Sequence, residues 1–268
     1  GDGGFDVVIG NPPYVEYSKV NKDYSLKKLQ SLECGNLFAF VIEKGLIVIR
    51  NTSYFGFIVP VSFNSTHRMS IIREIFFQNR IYVSSFADRP SCLFNGVHQI
   101  LTIFFGRKES TSTVLNGGFK HWNVVERKFI FEKLTYKDLK EDLKSFKINS
   151  DISNCIVKKI IMNKNVISSY FIGTKGLLTY SGGTGGYWLR AFCEEQASNE
   201  YKIVFVDDTI VKHSLLGIFN SNLFYYFWRL VSDCRHLTKN DINKFKIDLP
   251  TDNPSKLVEV SKKQNNAL

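Results

Sequence analysis

The chain has 268 residues, with 35 Lys+Arg against 25 Asp+Glu, a formal charge of +10 at pH 7. Its 44% hydrophobic and 14% aromatic content supplies ample material for a core and excludes a disordered polymer. The positive balance favours a polyanionic partner. Five cysteines (Cys34, Cys92, Cys155, Cys193 and Cys234) are odd in number, widely spaced and without a CxxC pair. That pattern argues against a disulfide framework or zinc knuckle and for a reducing, cytoplasmic setting. Gly1 to Asp6 has neither the charge nor the apolarity of a secretory leader. The longest apolar run, 215–230, is interrupted by Asn220, Ser221, Asn222 and Arg229. It is shorter than the roughly 20 residues that span a bilayer, so no membrane partner is expected.

The first elements alternate. Phe5-Asp6-Val7-Val8-Ile9, stopped by Gly10 and a proline pair, reads as a buried parallel strand entering a loop. Asn36 to Arg50 predicts a helix, apolar nearly all round and therefore well buried. A second core strand runs from Tyr54 to Val61, and Ser65 or Thr66 is positioned to cap a helix over Arg68 to Gln78. Strands follow at Ile81 to Phe86 and Gln99 to Gly106, separated by a loop from Asp88 to His98. This order predicts an α/β fold, a doubly wound sheet with an antiparallel edge. Lysine-rich sequence from Lys120 to Lys164 reads as solvated helices joining two domains. Beyond it, 168–249 reads as a smaller α+β domain with a glycine cluster and one long helix over Leu215 to Leu230.

The motif that carries chemistry is Asn11-Pro12-Pro13-Tyr14, directly after the first strand. Average residue usage would produce it by chance about once in a thousand chains of this length. It also sits where open α/β sheets place their ligands, at the C-terminal end of a strand. FDVVIGNPPY resembles the catalytic motif of the N6-adenine DNA methyltransferases, which use S-adenosylmethionine. Asn36-Leu37-Phe38 through Glu43-Lys44, GFIVPVSF at 56–63 and the stretch from Arg89 to Arg107 are similar to the TaqI-like, type IIG restriction–modification group.

The resemblance implies a role for each residue of the motif. The side-chain oxygen of Asn11 and the carbonyl of Pro12 accept the two N–H bonds of an exocyclic amine, favouring a pyramidal nitrogen. Pro12 and Pro13 stiffen the bend, which such electrostatic assistance requires. Tyr14 offers a face to a flipped-out adenine, and Phe94 matches the position of a second stacking ring. Phe94 reads equally as a core anchor for its loop.

The family's cofactor-binding half precedes its motif, whereas ten residues precede Asn11 here. Residues 1–110 therefore read as a partial, Rossmann-like catalytic domain, 111–167 as a helical linker, and 168–268 as a target-recognition domain. The expectation is a C-terminal fragment that acts with a missing N-terminal part of the same polypeptide, inactive alone and not binding S-adenosylmethionine by itself. Val41 stands where the family often has an aromatic residue near that cofactor.

Double-stranded DNA is the expected partner. Lys175, Tyr187, Trp188 and Arg190 surround the glycine cluster at 182–186, which reads either as a phosphate-approaching loop or as a hairpin turn. Arg235, His236 and Lys239 form a basic loop ahead of Thr238 and Asp241 at capping-box spacing. That loop reads as a phosphate contact or as solvated surface. LGIFNSN at 216–222 resembles a pattern of the TaqI-like C-terminal domain, its aromatic stripe reading as core. The five histidines show no metal-ligand spacing, so no metal is expected. Two other functions share parts of this pattern. One is methylation of a glutamine amide in proteins, which also uses NPPY but in chains that end soon after the last strand. The other is a non-catalytic DNA-binding module.

Overall fold

A computed structural model of the chain describes residues 3–21, 26, 28–138, 147–182, 189–249, 259 and 263. The chain divides into two units, 1–151 and 152–268. In the first, strands β1 (Phe5–Gly10), β2 (Ile49–Pro60), β3 (Arg80–Phe86), β4 (Leu101–Arg107), β5 (Val114–Lys120) and β6 (Lys137–Asp138) form one sheet. Their spatial order is β1-β2-β4-β3-β5-β6. β1 and β2 are parallel, β4 is antiparallel to both β2 and β3, and β5 is parallel to β3. The sheet ends on an antiparallel strand, β6. The pair expected at 81–86 and 99–106, β3 and β4, is antiparallel, as the sequence predicts, and lies inside the sheet because β5 and β6 continue it.

Helices α1 (Leu37–Val48), α2 (Ser62–Ser65) and α3 (Ser70–Phe77) connect these strands. α1 starts at Asn36, whose side chain accepts from Phe38 N. It presents Phe38, Ile42 and Leu46 to Phe55, Phe57 and Val59 of β2, in a core shared with Ile72 and Phe76 of α3. Phe104 of β4 anchors that core, stacked on Phe63 at 4.8 Å and edge-on to Phe76 at 4.9 Å. α1 also buries Glu43, whose carboxylate accepts from Gln30 N and Ser31 N at 2.9 and 2.8 Å. The opposite face of the sheet leaves Val7, Ile9, Tyr54 and Phe105 exposed. β1, read from the sequence as buried, is thus an exposed edge strand, its apolar residues uncovered because it has a neighbour on one side only. The expected cap of α3 is absent at both named residues: Ser65 Oγ and Thr66 Oγ1 donate backwards to Val61 O and Ser62 O. Those bonds close α2, a separate turn that the periodicity had hidden.

The expected helical linker, 111–167, takes another form. Its first part is β5, a strand of the first sheet, followed by a 3-10 turn at Val124–Phe129, then β6, and, among the described residues, an α-helix at α4 (Asp151–Ile161). The strand pattern of β5 is masked by Gly117-Gly118, where the register with β3 shifts. Gly118 takes φ 77°, open to glycine at little cost, and a Cβ on Gly117 would collide with the Ser84 side chain. Asn116 holds this bulge, donating to Ile148 O and accepting from Gly118 N. Lys140 and Lys144 lie outside the described residues. Lys147 is buried, with its Nζ 5.6 Å from the centre of the Phe119 ring.

The second unit carries an antiparallel sheet in the order β8-β7-β9, from β7 (Leu177–Ser181), β8 (Ala191–Phe192) and β9 (Tyr201–Phe205). Helices α5 (Thr209–Phe219), α6 (Asn222–Val231) and α7 (Lys239–Lys244) follow. The single helix expected over 215–230 is two helices, because Asn220 and Ser221 serve other partners. Asn220 donates to Ala191 O and accepts from Ala191 N, completing β8 as a strand neighbour would. Ser221 caps α6 through Phe224 N. The aromatic stripe of α6 is core: Phe224, Phe227 and Trp228 are buried, and the two Phe rings pack on Phe245.

Asn220→Ala strips both partners from a buried backbone residue of β8. It is expected to lower stability by about 1–3 kcal/mol, measured by denaturant unfolding; an unchanged midpoint would show that β8 is held without it.

Candidate active site

Because β4 is antiparallel to both of its neighbours, β1, β2 and β3 all run the same way and open their C-terminal ends at one edge of the sheet. Three loops meet that edge: 11–20 after β1, 61–69 after β2 and 87–100 after β3. All four residues of the sequence motif lie on the first. Asn11 and Pro13 are exposed, Pro12 is buried and Tyr14 is half-buried. The Tyr14 hydroxyl lies 2.5 Å from Asn11 Oδ1, to which it donates, and 3.1 Å from Ile58 O of β2. Its ring meets Phe38 edge-on at 6.5 Å. Burial pushes its pKa up to about 12, so the phenol stays a neutral donor throughout the physiological range. A carboxamide oxygen has two lone pairs, and Tyr14 engages one of them.

The C-terminal side of this loop is fastened by Glu16. Its carboxylate takes a two-pronged contact from Arg68, at 2.8 and 2.5 Å, and a third bond from Asn36 at 3.1 Å. Backbone bonds from Tyr17 N to Gly35 O and from Leu37 N to Val15 O complete the attachment. The guanidinium of Arg68, followed by the Asn36 amide, holds Glu16 below the usual carboxylate range despite partial burial. The second loop is held by Arg73, which donates to Phe63 O and Thr66 O. Beneath it the buried Asn64 donates to Ser85 Oγ and Thr102 Oγ1, at 2.7 and 2.8 Å. None of these anchors is visible in the sequence, since they join residues from 7 to 52 places apart with no periodic spacing. Only Glu16, two places after Tyr14, lies close enough to the motif to draw notice.

Phe94 lies on the third loop and is 37% exposed; its neighbour Leu93 packs instead against Phe86, Trp122 and Ile130. Thus Leu93, and not Phe94, anchors this loop. β1 and β3 are three strand spacings apart, about 14 Å.

The described residues form no cradle for S-adenosylmethionine. The strand-to-helix connections after β1 and β2 carry Pro12-Pro13 and Pro60 in place of a glycine turn. A Cβ on Gly10 would make only ordinary contact with Phe57, at 3.7 Å, so Gly10 marks no close approach. A cleft of about 690 Å³ opens at the other end of the strands, between Glu43, Asn51, Asn79 and Lys108, away from Asn11. Among the described residues no group of three or more His, Cys, Asp or Glu is placed to hold a metal, and no helix is long and apolar enough to cross a membrane.

Residues 1–88 match the family model described as Eco57I restriction-modification methylase. The matched segment contains the NPPY loop, Glu16, Arg68, Arg73 and Asn64; Phe94 falls outside it. A Methanocaldococcus jannaschii protein named as a type II restriction enzyme and methyltransferase is 30% identical over 95 residues, 35% of this chain and 8% of that protein. A nuclease-deletion mutant of the Type ISP restriction-modification enzyme LlaGI, solved with a DNA substrate mimic, is 10% identical. It covers 98% of this chain and 41% of its own, with a TM-score of 0.52, a likeness of fold. This chain therefore spans less than half the length of either.

In the second unit β7 separates the basic residues singled out from the sequence. Arg190 lies beside the C-terminal end of β7, its N–H on Ser181 Oγ. The loop carrying Arg235 and His236 joins the same end through Leu237 N to Gly182 O, at 3.2 Å. Asp233 shapes that loop by accepting from Arg235 N and His236 N. Lys239 begins α7, where the Thr238–Asp241 capping box is present. Lys175 is at the other end of β7, in a turn whose N–H groups at 174–176 converge on the Asp207 carboxylate. Those backbone donors lower the pKa of Asp207. Gly182 admits the side chain of Lys202 and the backbone of Glu200, as a hairpin position does; Gly183 to Gly186, Tyr187 and Trp188 lie outside the described residues.

The Glu16–Arg68 pair makes a pH-dependent contribution. Glu16 has a lower pKa folded than unfolded, so its stabilisation is complete above the ordinary carboxylate range and is lost as pH falls through the lowered value. Arg68→Ala removes the largest cause of the shift. The difference in thermal midpoint between parent and variant is therefore expected to be largest near neutrality and to shrink in acid; a pH-independent difference would exclude the ion pair as its source.

Proposed function

We propose that this chain supplies the substrate side of an adenine-N6 DNA methyltransferase site within a restriction–modification enzyme, and that its second unit contacts the DNA. The observation that carries this reading is the hydrogen-bonded Tyr14–Asn11 pair on an exposed strand-end loop, within the segment matched by the methylase family model. The exocyclic amine of adenine is a weak nucleophile because its lone pair is delocalised into the ring. The second lone pair of Asn11 Oδ1 and the Pro12 carbonyl accept its two N–H bonds and draw the nitrogen towards a pyramidal form. Tyr14, braced edge-on against Phe38, holds the Asn11 amide in place beforehand with its single hydroxyl hydrogen, so little reorganisation accompanies the reaction. The tyrosine ring offers a stacking face to the extruded base, and Phe94 a second one on the 87–100 loop. After transfer the alkylated nitrogen loses its proton readily to water, which makes a strong general base unnecessary.

S-adenosylmethionine would supply the electrophilic methyl group. With no cradle for it among the described residues, the reading places its binding in a separate N-terminal part of the same polypeptide. The exposed apolar face bearing Val7, Ile9, Tyr54 and Phe105 is the surface such a part would cover.

Asn11→Ala in the polypeptide that joins this chain to its cofactor-binding part is expected to lower kcat by about 10²–10³, the cost of one lost transition-state contact. Transfer of tritium from labelled cofactor to DNA checks it, and full activity in the variant would overturn the catalytic assignment. Calorimetry on the isolated chain is expected to show negligible binding of S-adenosylmethionine; a micromolar dissociation constant would contradict the division of labour. For DNA contact, Arg190→Ala and Arg235→Ala are each expected to reduce the salt dependence of binding by about one unit of slope. An unaltered slope in both would remove this cluster from the interface.

A further inference from the structure

We propose that Arg127 is a positioning residue that holds Phe94 in place to receive an extruded base. Arg127 sits in the 3-10 turn at Val124–Phe129, after β5 and outside the segment matched by the methylase family. Its guanidinium reaches back to the loop on both sides of Phe94. Nη2 donates to Cys92 O at 2.8 Å and to Asn95 Oδ1 at 3.0 Å, and Nη1 donates to Leu93 O at 3.2 Å. The guanidinium carbon lies 5.1 Å from the centre of the Trp122 ring, which is buried against Leu93 and Phe86. One cation thus brackets the exposed Phe94 ring from the residues before and after it and is braced on a buried indole. The planar fork of Arg suits this arrangement, since its donors diverge at fixed angles towards separate acceptors.

Other contacts also hold this loop: Cys92 Sγ lies 3.3 Å from Asp88 O and 3.2 Å from His98 Nδ1, His121 Nδ1 lies 3.3 Å from Arg89 O, and Val97 N donates to Phe94 O at 3.1 Å. Of these the Val97 bond reaches the turn at 93–95, on its far side, and leaves the carbonyls before Phe94 and the Asn95 side chain to Arg127. Without Arg127 the carbonyls of Cys92 and Leu93 turn to solvent and the ring loses its fixed place. An extruded base gains from stacking only what the ring does not lose in ordering itself, so a pre-positioned ring raises the extruded population.

The inference rests on the base-stacking reading of Phe94, and the experiment separates the two. Single-molecule sequencing of plasmid DNA methylated by the polypeptide that joins this chain to its cofactor-binding part locates the target adenine. Two duplexes are then compared, one with that adenine paired to thymine and one with it mismatched and already easier to extrude. Arg127→Ala is expected to lower kcat/KM on the paired duplex by about tenfold to a hundredfold, the range of a lost charge-assisted contact. Most of that loss should be recovered on the mismatched duplex, a recovery that general loosening of the fold would not produce. Arg127→Lys, which keeps the charge but not the fork, should resemble the alanine variant. Asn95→Ala, which removes one acceptor from the loop side, should give a smaller loss with the same recovery, and it carries the comparison if Arg127→Ala does not fold.

Equal losses on both duplexes, or full activity in Arg127→Ala or Arg127→Lys, would overturn the role of Arg127 while leaving the methyltransferase reading intact. Phe94→Ala at full activity with Arg127→Ala impaired would overturn the stacking step through which Arg127 is argued to act. Absence of methylated adenine with the unsubstituted enzyme would overturn both.

Discussion

The antiparallel course of β4 between β2 and β3 is the constraint on which the first unit depends. Strands on either side of β4 run in the same direction, so β1, β2 and β3 deliver their C-terminal ends to one edge. The NPPY loop, the α2 loop and the Phe94 loop meet there because of that topology, although they are separated by long stretches of chain. β4 is also the centre of the core: Phe104 packs against Phe57, Phe63 and Phe76 from three elements.

Each loop at this edge is tied down by a charged or polar side chain from elsewhere. Glu16 is paired with Arg68, Arg73 binds the carbonyls at 63 and 66, and Arg127 binds those at 92 and 93. Tyr14 serves the same purpose within the motif itself. A loop can hold an acceptor in place only if its own backbone is restrained, and rigid placement is what gives an aligned dipole its catalytic value. Arginine recurs because one guanidinium satisfies several acceptors at fixed angles. By contrast, the cleft at the opposite end of the strands has volume but no link to the NPPY loop.

The second unit shows the same economy in polar side chains. Asn220 substitutes for a missing strand neighbour of Ala191, and Asp207 gathers the N–H groups of a turn. The loop bearing Arg235 is attached to Gly182 and shaped by Asp233, which places it at the end of β7 that also carries Arg190. Lys175 is assigned to the other end by the length of β7 alone, and this divides the basic residues into two groups.

Local pattern alone determined a good part of this protein. The strand at Phe5 to Ile9, though not its exposure at the edge of the sheet, the buried helix after Asn36, the strand ending at Pro60 and the Thr238–Asp241 cap were legible, because each rests on periodicity, stop residues or capping within a few positions. The strand-end place of NPPY was legible for the same reason. Tertiary structure decided what depends on distant partners. β5 became a strand through pairing with β3 across a glycine bulge that breaks its alternation, and the apolar run at 215–230 split because Asn220 is bound to β8. The interior place of β4, the exposure of Phe94 and the anchors Arg68, Arg73 and Arg127 also fall in this class. A hydrogen bond between residues 35 or 52 places apart leaves no periodic trace in the sequence; it exists only when the fold brings donor and acceptor together.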